Sequence, residues 1–198
     1  MSSKIYVVGN KVNIPDSSLV SKHSNNNTIV FVGKMSYAPN ILAVTHFANN
    51  IFPSLCSKKP DLKFIIVGAY PCYNIKKLAE RPNIIVTGYV DSVEPYYQQA
   101  TIVIAPMLTG AGIQNKILQA MSYGCCVVTT PIGAEGLTIN HNEIGIFDND
   151  ISIIQGINIL LNNPTKRIEM GGKARNYIID NYSQDIIAQQ FWEFILGV

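Results

Sequence analysis

The sequence predicts an α/β fold built on a doubly wound parallel sheet. Short β-branched runs alternate with segments of helical period. Most of these runs are nearly continuous in apolar residues, as suits strands covered on both faces. Strand–helix alternation of this kind implies parallel strands joined by right-handed crossovers. Size and composition agree, since 198 residues that are 47% hydrophobic and 14% charged can bury a core and are not a disordered tail.

The elements follow in order. A first strand is expected at 4–8, then a polar stretch rich in Gly, Asn, Pro and Ser, 9–27, that reads as a linker. Further strands are expected at 28–32, 62–67, 83–87, 101–105, 126–129 and 144–147. A helix is expected over 40–57, where Ile41, Val44, Ala48, Ile51 and Leu55 recur at helical spacing and Pro39 stands near the start. Shorter helices are expected at 75–81, 94–100 and 113–123, and the chain ends in helices at 151–161, 165–180 and 184–196. There is no internal repeat. The organisation reads as a first strand and linker region (1–27), a Rossmann-like body (28–182) and a C-terminal helix packed on it (183–198).

Composition excludes several classes of function. A formal charge of +2 argues for neither nucleic acid nor an anionic membrane surface. No apolar run reaches the length of a transmembrane helix, and the one at 5–8 is too short for a signal-peptide core. Cys56, Cys72, Cys125 and Cys126 lack zinc-site spacing and read as buried free thiols of a reducing cytosol. Neither a Walker A motif nor a dinucleotide glycine fingerprint occurs.

In an open parallel sheet, ligands bind at the carboxyl ends of the strands. Four loops lie there, 33–39, 68–72, 88–92 and 106–112, each carrying glycine or proline. The last is the richest in chemistry. A buried strand ends at Pro106, a small loop containing Gly110, Ala111 and Gly112 follows, and a helix opens. Such a start offers unpaired N–H groups and partial positive charge, and the small residues let a diphosphate approach the backbone. Gly112, Lys116, Gln119 and Tyr123 form a polar stripe beside the apolar Ile113, Ile117, Ala120 and Met121. Lys116 could neutralise a phosphate and Gln119 could bind a sugar hydroxyl. The competing reading is a plain surface helix with Lys and Gln on its wet face.

The chain resembles the C-terminal, donor-binding domain of GT-B glycosyltransferases, family 4 (glycosyl transferases group 1), which build bacterial polysaccharides. The resemblance rests on blocks in order over about 28–140. They are Phe31-Val32-Gly33-Lys34 through Asn40, Ile51-Phe52-Pro53, Ile65-Ile66-Val67-Gly68, Val86-Thr87-Gly88-Tyr89-Val90-Asp91 with Tyr96 and Tyr97, the 110–124 segment, and Val127 through Leu137. Residues 141–198 match only in helical character.

The resemblance implies a nucleotide diphosphate sugar as donor and a glycan or lipid-linked acceptor. It also implies hexosyl transfer with retention, in the cytoplasm, without cofactor or fixed metal. Peripheral membrane association is compatible with it. Gly33 and Lys34 would lie by the diphosphate, Lys34 replacing a common Arg. The backbone at Tyr89 and Val90 would meet the base. Gly110, Ala111, Gly112 and Ile113 would meet the phosphates and sugar, with Lys34, Lys116 and the N–H groups of 110–113 stabilising the leaving charge. Gln119 falls where the family has a ribose-binding Glu. Three departures stand out. Ala111 and Gln119 replace a Glu pair eight positions apart, Pro39-Asn40 stand where a second basic residue is common, and the 198 residues contain no stretch that resembles an N-terminal acceptor domain. They leave a second expectation open, a degenerate module that binds nucleotide or a partner without catalysis.

Other residues read more plainly. Asp148-Asn149-Asp150 looks like the metal-binding Asp-x-Asp of the other glycosyltransferase fold, but its place before a helix makes Asp150 an N-cap. Glu135 is either a sugar contact or a loop carboxylate. His46 is structural or on the surface, and His23 and His141 have no visible metal partners. One of Tyr96 and Tyr97 should pack in the core. Tyr177, Ile178, Ile179 and Tyr182, and the final Phe191, Trp192, Phe194 and Ile195, should bury against the sheet. An exposed aromatic patch at the end would instead mark a partner surface.

Overall fold

The computed structural model describes residues 12–21, 26–139 and 142–196; the expected strand at 4–8, His23 and His141 lie outside the described residues. A single parallel sheet is ordered β3-β2-β1-β4-β5-β6. Its strands are β1 (Thr28–Val32), β2 (Lys63–Val67), β3 (Ile84–Gly88), β4 (Ile102–Ala105), β5 (Val127–Thr129) and β6 (Gly145–Ile146). Val30 pairs with both Ile65 of β2 and Val103 of β4, so β1 is central. The chain lays down β1, β2 and β3 in one direction, then crosses back beside β1 and lays down β4, β5 and β6 in the other. The reversal leaves a crevice at the carboxyl ends of β1 and β4.

Side-chain alternation divides the core between two faces. Ile29, Phe31, Phe64, Ile66, Ile102, Ile104 and Val128 face one layer, with Val44, Phe47, Ile51 and Leu55 and, from α7 (Asp150–Leu161), Ile153 and Ile157. Val30, Val32, Ile65, Val67, Val103 and Val127 face the other. That layer comprises α4 (Glu94–Gln99), α5 (Asn115–Ser122) and α8 (Pro164–Tyr182), which contribute Tyr97, Ile117, Leu118, Met121, Ala174 and Ile178.

The helix expected at 40–57 is one rod made of α1 (Ala38–His46), a π-bulge at Phe47–Ile51 and α2 (Phe52–Lys58). The wider turn lies just before Pro53, which has no N–H to continue the α ladder and crowds the carbonyl four residues back. The predicted stripe of Val44, Ala48, Ile51 and Leu55 is buried through the bulge. The turns α3 (Tyr73–Leu78) and α6 (Pro131–Ala134) complete this region, the latter too short to show a period in the sequence.

Several expectations are corrected. Asn149, not Asp150, caps α7: its side chain accepts from Ser152 N at 2.9 Å while Ser152 Oγ accepts from Asn149 N at 3.3 Å. This reciprocal box leaves Asp150 in the first turn, where Oδ1 meets His46 Nε2 at 2.8 Å. Cys125 and Cys126 are buried, but Cys56 and Cys72 are only partly so. Burial raises the Cys125 thiol far above its ordinary range and pushes that of Cys126 up to about 12. Ile178 and Tyr182 are buried, whereas Phe191, Trp192 and Ile195 on α9 (Gln184–Leu196) are exposed, Trp192 by 58%. The sheet is already covered by α5 and α8, and α9 packs on α8 instead.

The stretch 12–21 is docked rather than free. Val12 N donates to Tyr182 O, Ser21 N donates to Tyr123 O, and the Arg175 guanidinium donates to the carbonyls of Pro15 and Ser122.

Candidate functional site

The carboxyl ends of β1, β2 and β3 are stitched together through glycine. Gly33 N donates to Val67 O at 2.9 Å and Gly68 N donates to Gly88 O at 3.2 Å. Gly68 sits at φ +154°, and a Cβ on it would lie 1.8 Å from Gly33 O, so only glycine lets the two loops touch. Met35 N donates to Ala69 O at 2.8 Å, extending the clasp. Asn40 is buried and donates from Nδ2 to Lys34 O at 3.0 Å. It shapes the loop instead of contributing charge.

Lys34 is exposed on this clasp, with Nζ 5.7 Å from the centroid of the Tyr70 ring. Lys116 reaches the same crevice from the other side. Its Nζ lies 2.9 Å from Gln114 Oε1, 3.6 Å from Met107 Sδ and 5.8 Å from the Phe31 ring centroid. Phe31 belongs to β1 and Met107 follows β4, so this ammonium sits at the point where the strand order reverses. A Cβ on Gly33 would lie 3.1 Å from the same Phe31 ring, which makes Gly33 and Lys116 neighbours through one side chain. Among the described residues no carboxylate pairs with Lys116. Burial lowers its pKa to about 8, because the charged form is poorly solvated there.

The helix α5 opens at Asn115, two residues later than expected. Gly112 has φ +68° and Gly110 φ +137°, which right-handed helix cannot accommodate, and Gln114 is extended. The backbone of 110–113 is therefore a loop over the helix start, and no side chain caps that start. Gly110, Ala111 and Gly112 are exposed, while Ile113 packs on the second core layer against Gly136. Beneath this loop Thr129 Oγ1 donates to Ala105 O at 2.7 Å and Thr130 Oγ1 donates to Met107 O at 2.6 Å. A Cβ on Gly133 would lie 2.1 Å from Thr129 Oγ1, so α6 can sit only this close as glycine.

The expected polar stripe of α5 is only partly correct. Gly112 precedes the helix, and Tyr123 closes it with its ring stacked on Tyr97 at 5.1 Å. Tyr97 is the core member of the Tyr96–Tyr97 pair, and burial raises its phenol well above the ordinary value. Its hydroxyl donates to Gln119 Oε1 at 3.4 Å. Tyr89 is exposed at the end of β3, and Val90 beside it packs on the second core layer. Two strand spacings separate β3 from β1, about 10 Å. The structure thus gathers Gly33, Lys34, Lys116 and the 110–113 loop at the switch point, with Tyr89 and Val90 at one edge and Gln119 along α5. Glu135 is exposed on the turn after α6.

Sequence reasoning passed over Phe31, Met107, Gln114 and Tyr70 as neighbours of the two lysines. Phe31 and Tyr70 carried a signal only by standing beside glycine-bearing strand ends. Among the described residues no helix is long and apolar enough to cross a membrane, and no cluster of three or more His, Cys, Asp or Glu is placed to hold a metal ion.

Comparison with known proteins bears on the family and the fold. The chain is 29% identical over 182 residues to an uncharacterized 44.6 kDa protein in the cps region of Klebsiella pneumoniae, covering 85% of this chain and 46% of that one. It spans about half the length of the curated relatives it matches. A crystal structure of a Staphylococcus aureus TarM mutant in complex with fondaparinux, alpha-GlcNAc-glycerol and UDP superposes with a TM-score of 0.79 at 20% identity, over 97% of this chain and 39% of that one. The C-terminal domain of a group 1 family glycosyltransferase from Francisella tularensis superposes at 0.65 with 17% identity, over 85% of this chain and 90% of that one. The sheet is accordingly the Rossmann-like half of a GT-B fold. The family model described as glycosyl transferases group 1 matches residues 26–163, and the chain belongs to that family.

Proposed function

We propose that this chain is the donor-binding half of a retaining glycosyltransferase that takes a hexose from a nucleotide diphosphate sugar. The observation that carries the reading is Lys116, a half-buried ammonium without a carboxylate partner among the described residues, at the strand-order switch point. In this reading the diphosphate lies between Lys34 and Lys116, under the open backbone of Gly110, Ala111 and Gly112. The base lies toward Tyr89 and Val90, and the ribose toward Gln119. UDP, present in the TarM complex, is the first nucleotide to test.

During transfer the bond between the anomeric carbon and the diphosphate oxygen breaks, the acceptor hydroxyl oxygen bonds to that carbon on the same face, and the hydroxyl proton passes to the departing diphosphate. Negative charge builds on the departing diphosphate. Lys34 and Lys116 stabilise it electrostatically, which is the largest task of such a site. No metal is needed in this scheme. It is supported by Asp148, Asn149 and Asp150 being engaged in capping α7 and pairing with His46.

The acceptor, a glycan or lipid-linked sugar of polysaccharide synthesis, would be held by a second, N-terminal domain across the crevice. The exposed Phe191, Trp192 and Ile195 on α9 suit a surface that such a domain covers. Work in the cytoplasm, with peripheral attachment to the membrane, fits a charged donor and a lipid-linked acceptor.

Calorimetry with UDP-, GDP- and ADP-linked sugars, with and without EDTA, tests the reading. Binding of one donor, unchanged by EDTA, is expected, and no transfer by the 198 residues alone. Failure of all three to bind would sink the donor site. A second reading is favoured by Gln119, whose Oε1 is engaged by Tyr97, and by the truncated Ala111. It is a degenerate module that binds nucleotide or a partner without transfer. Absence of transfer after an acceptor domain is supplied would select it.

A further inference from the structure

We infer that Tyr70 is a positioning residue for Lys34, holding its ammonium beside the diphosphate site; this rests on the donor-site reading above. Tyr70 has φ +58°, a left-handed conformation that a bulky residue rarely adopts and glycine accepts freely. It also precedes Pro71, whose ring further restricts the residue before it. Burial does not account for the tyrosine, because it is 72% exposed. A strained backbone carrying an exposed ring points to use of the ring.

The surroundings identify that use. On one side of the crevice the loops after β1 and β2 are clasped, Gly68 against Gly33 and Met35 N donating to Ala69 O at 2.8 Å. With 68–69 held to 33–35, the left-handed turn at residue 70 brings its ring to the Lys34 side chain, Nζ 5.7 Å from the centroid. That distance is within cation–π range. Among the described residues no carboxylate forms an ion pair with Lys34, so the ring is the group that orders it. A free lysine has many rotamers to lose on meeting a phosphate, and one already held loses fewer. A lysine, unlike the planar fork of an arginine, has little rigidity of its own. The tyrosine ring supplies from outside part of the order that lysine lacks.

The test is calorimetry with UDP, GDP and ADP on the full chain and on Y70N, Y70F, K34M and the Y70N/K34M pair, with thermal midpoints for each. Asn tolerates the left-handed region and has no ring. Y70N is expected to weaken the nucleotide that binds by roughly two- to fivefold, the scale of an exposed cation–π contact. Its thermal midpoint should be unchanged or higher. Y70F should retain affinity, and in the K34M background Y70N should have no further effect. If the unaltered chain binds none of the three nucleotides, the donor-site reading itself is overturned. If it binds and Y70N binds as tightly, or Y70F falls as far, or the loss persists without Lys34, the positioning role is overturned. A fall in midpoint that tracks the loss would make the ring structural and overturn it equally.

Discussion

The hydroxyl of Tyr97 donates to Gln119 Oε1, so the amide of Gln119 has its oxygen engaged and has only NH2 donors left to offer. A ribose hydroxyl is better served by an acceptor that can also carry charge. A carboxylate at this position could accept from Tyr97 with one oxygen and from the ribose with the other. Q119E is therefore expected to tighten nucleotide binding by roughly three- to tenfold, about the gain from making one hydrogen bond charge-assisted. Calorimetry with the nucleotide that binds the unaltered chain measures it. A weaker complex would mean that the ribose does not reach Gln119.

Lys116 gives a prediction in pH. Its folded-state pKa, lowered by burial to about 8, lies below the ordinary lysine value of 10.5. Between those values the unfolded chain holds the extra proton, so Lys116 makes the fold more stable as pH rises through that window. Nucleotide binding runs the other way, since it needs the ammonium. Affinity measured at pH 7, 8 and 9 should fall above about 8, with a limit of roughly tenfold per unit for one linked proton. K116M should bind weakly at every pH and show no such slope. A flat profile for the unaltered chain would remove Lys116 from the diphosphate.

Much of this site is legible in the sequence, and the remainder fails for definable reasons. β-branched runs at 28–32, 62–67 and 101–105 specify strands because each is buried on both faces, and the strands lie within a residue of expectation. Gly110 and Gly112 mark a loop because their positive φ values favour glycine, and Gly33 marks one because a Cβ there would crowd Asn40 and Phe31. The start of α5 shifts from 113 to Asn115 because a φ of +68° at Gly112 is not visible in the letters. The cap of α7 moves from Asp150 to Asn149 because Ser152 completes a reciprocal box with Asn149. Phe191 and Trp192 read as core because their apolar character is visible, whereas the prior occupation of the sheet face by α5 and α8 is a tertiary fact. Tyr70 reads as an ordinary loop residue for the same reason: its strain exists only once Gly68 and Gly33 touch.

The glycines of the crevice should be intolerant for two different reasons. G133A places a methyl 2.1 Å from Thr129 Oγ1 and 3.0 Å from Ala105 O, both in rigid sheet backbone or its hydrogen-bonded neighbour. The expected cost is about 1–3 kcal/mol of overpacking. For a domain of this size that lowers the thermal midpoint by roughly 2–4 °C per kcal/mol. G68A combines a backbone clash at 1.8 Å with φ +154°, and should be the more damaging of the two. Because it parts the clasp between Gly68 and Gly33, it should also abolish nucleotide binding in whatever fraction remains folded. G112A, by contrast, meets nothing within 4 Å and carries only the cost of its φ of +68°. A scan showing equal midpoints for G133A and G112A would contradict the packing described at α6.

The last prediction separates two neighbours at the start of α7. Asn149 closes both hydrogen bonds of the capping box, whereas Asp150 contributes an ion pair with His46 whose partners are 25% and 40% exposed. Removing an N-cap side chain costs about 1 kcal/mol, and a partly exposed pair is worth about 0–1 kcal/mol. N149A should therefore lower the thermal midpoint by roughly 2–4 °C, and D150N by less. Neither residue touches the crevice, so neither substitution should change nucleotide affinity. If instead D150N or N149A weakened nucleotide binding, and divalent cation restored it, the segment 148–150 would be a metal motif and the capping role would be incidental. Thermal unfolding and calorimetry on the two variants, each with and without added magnesium, decide between these outcomes.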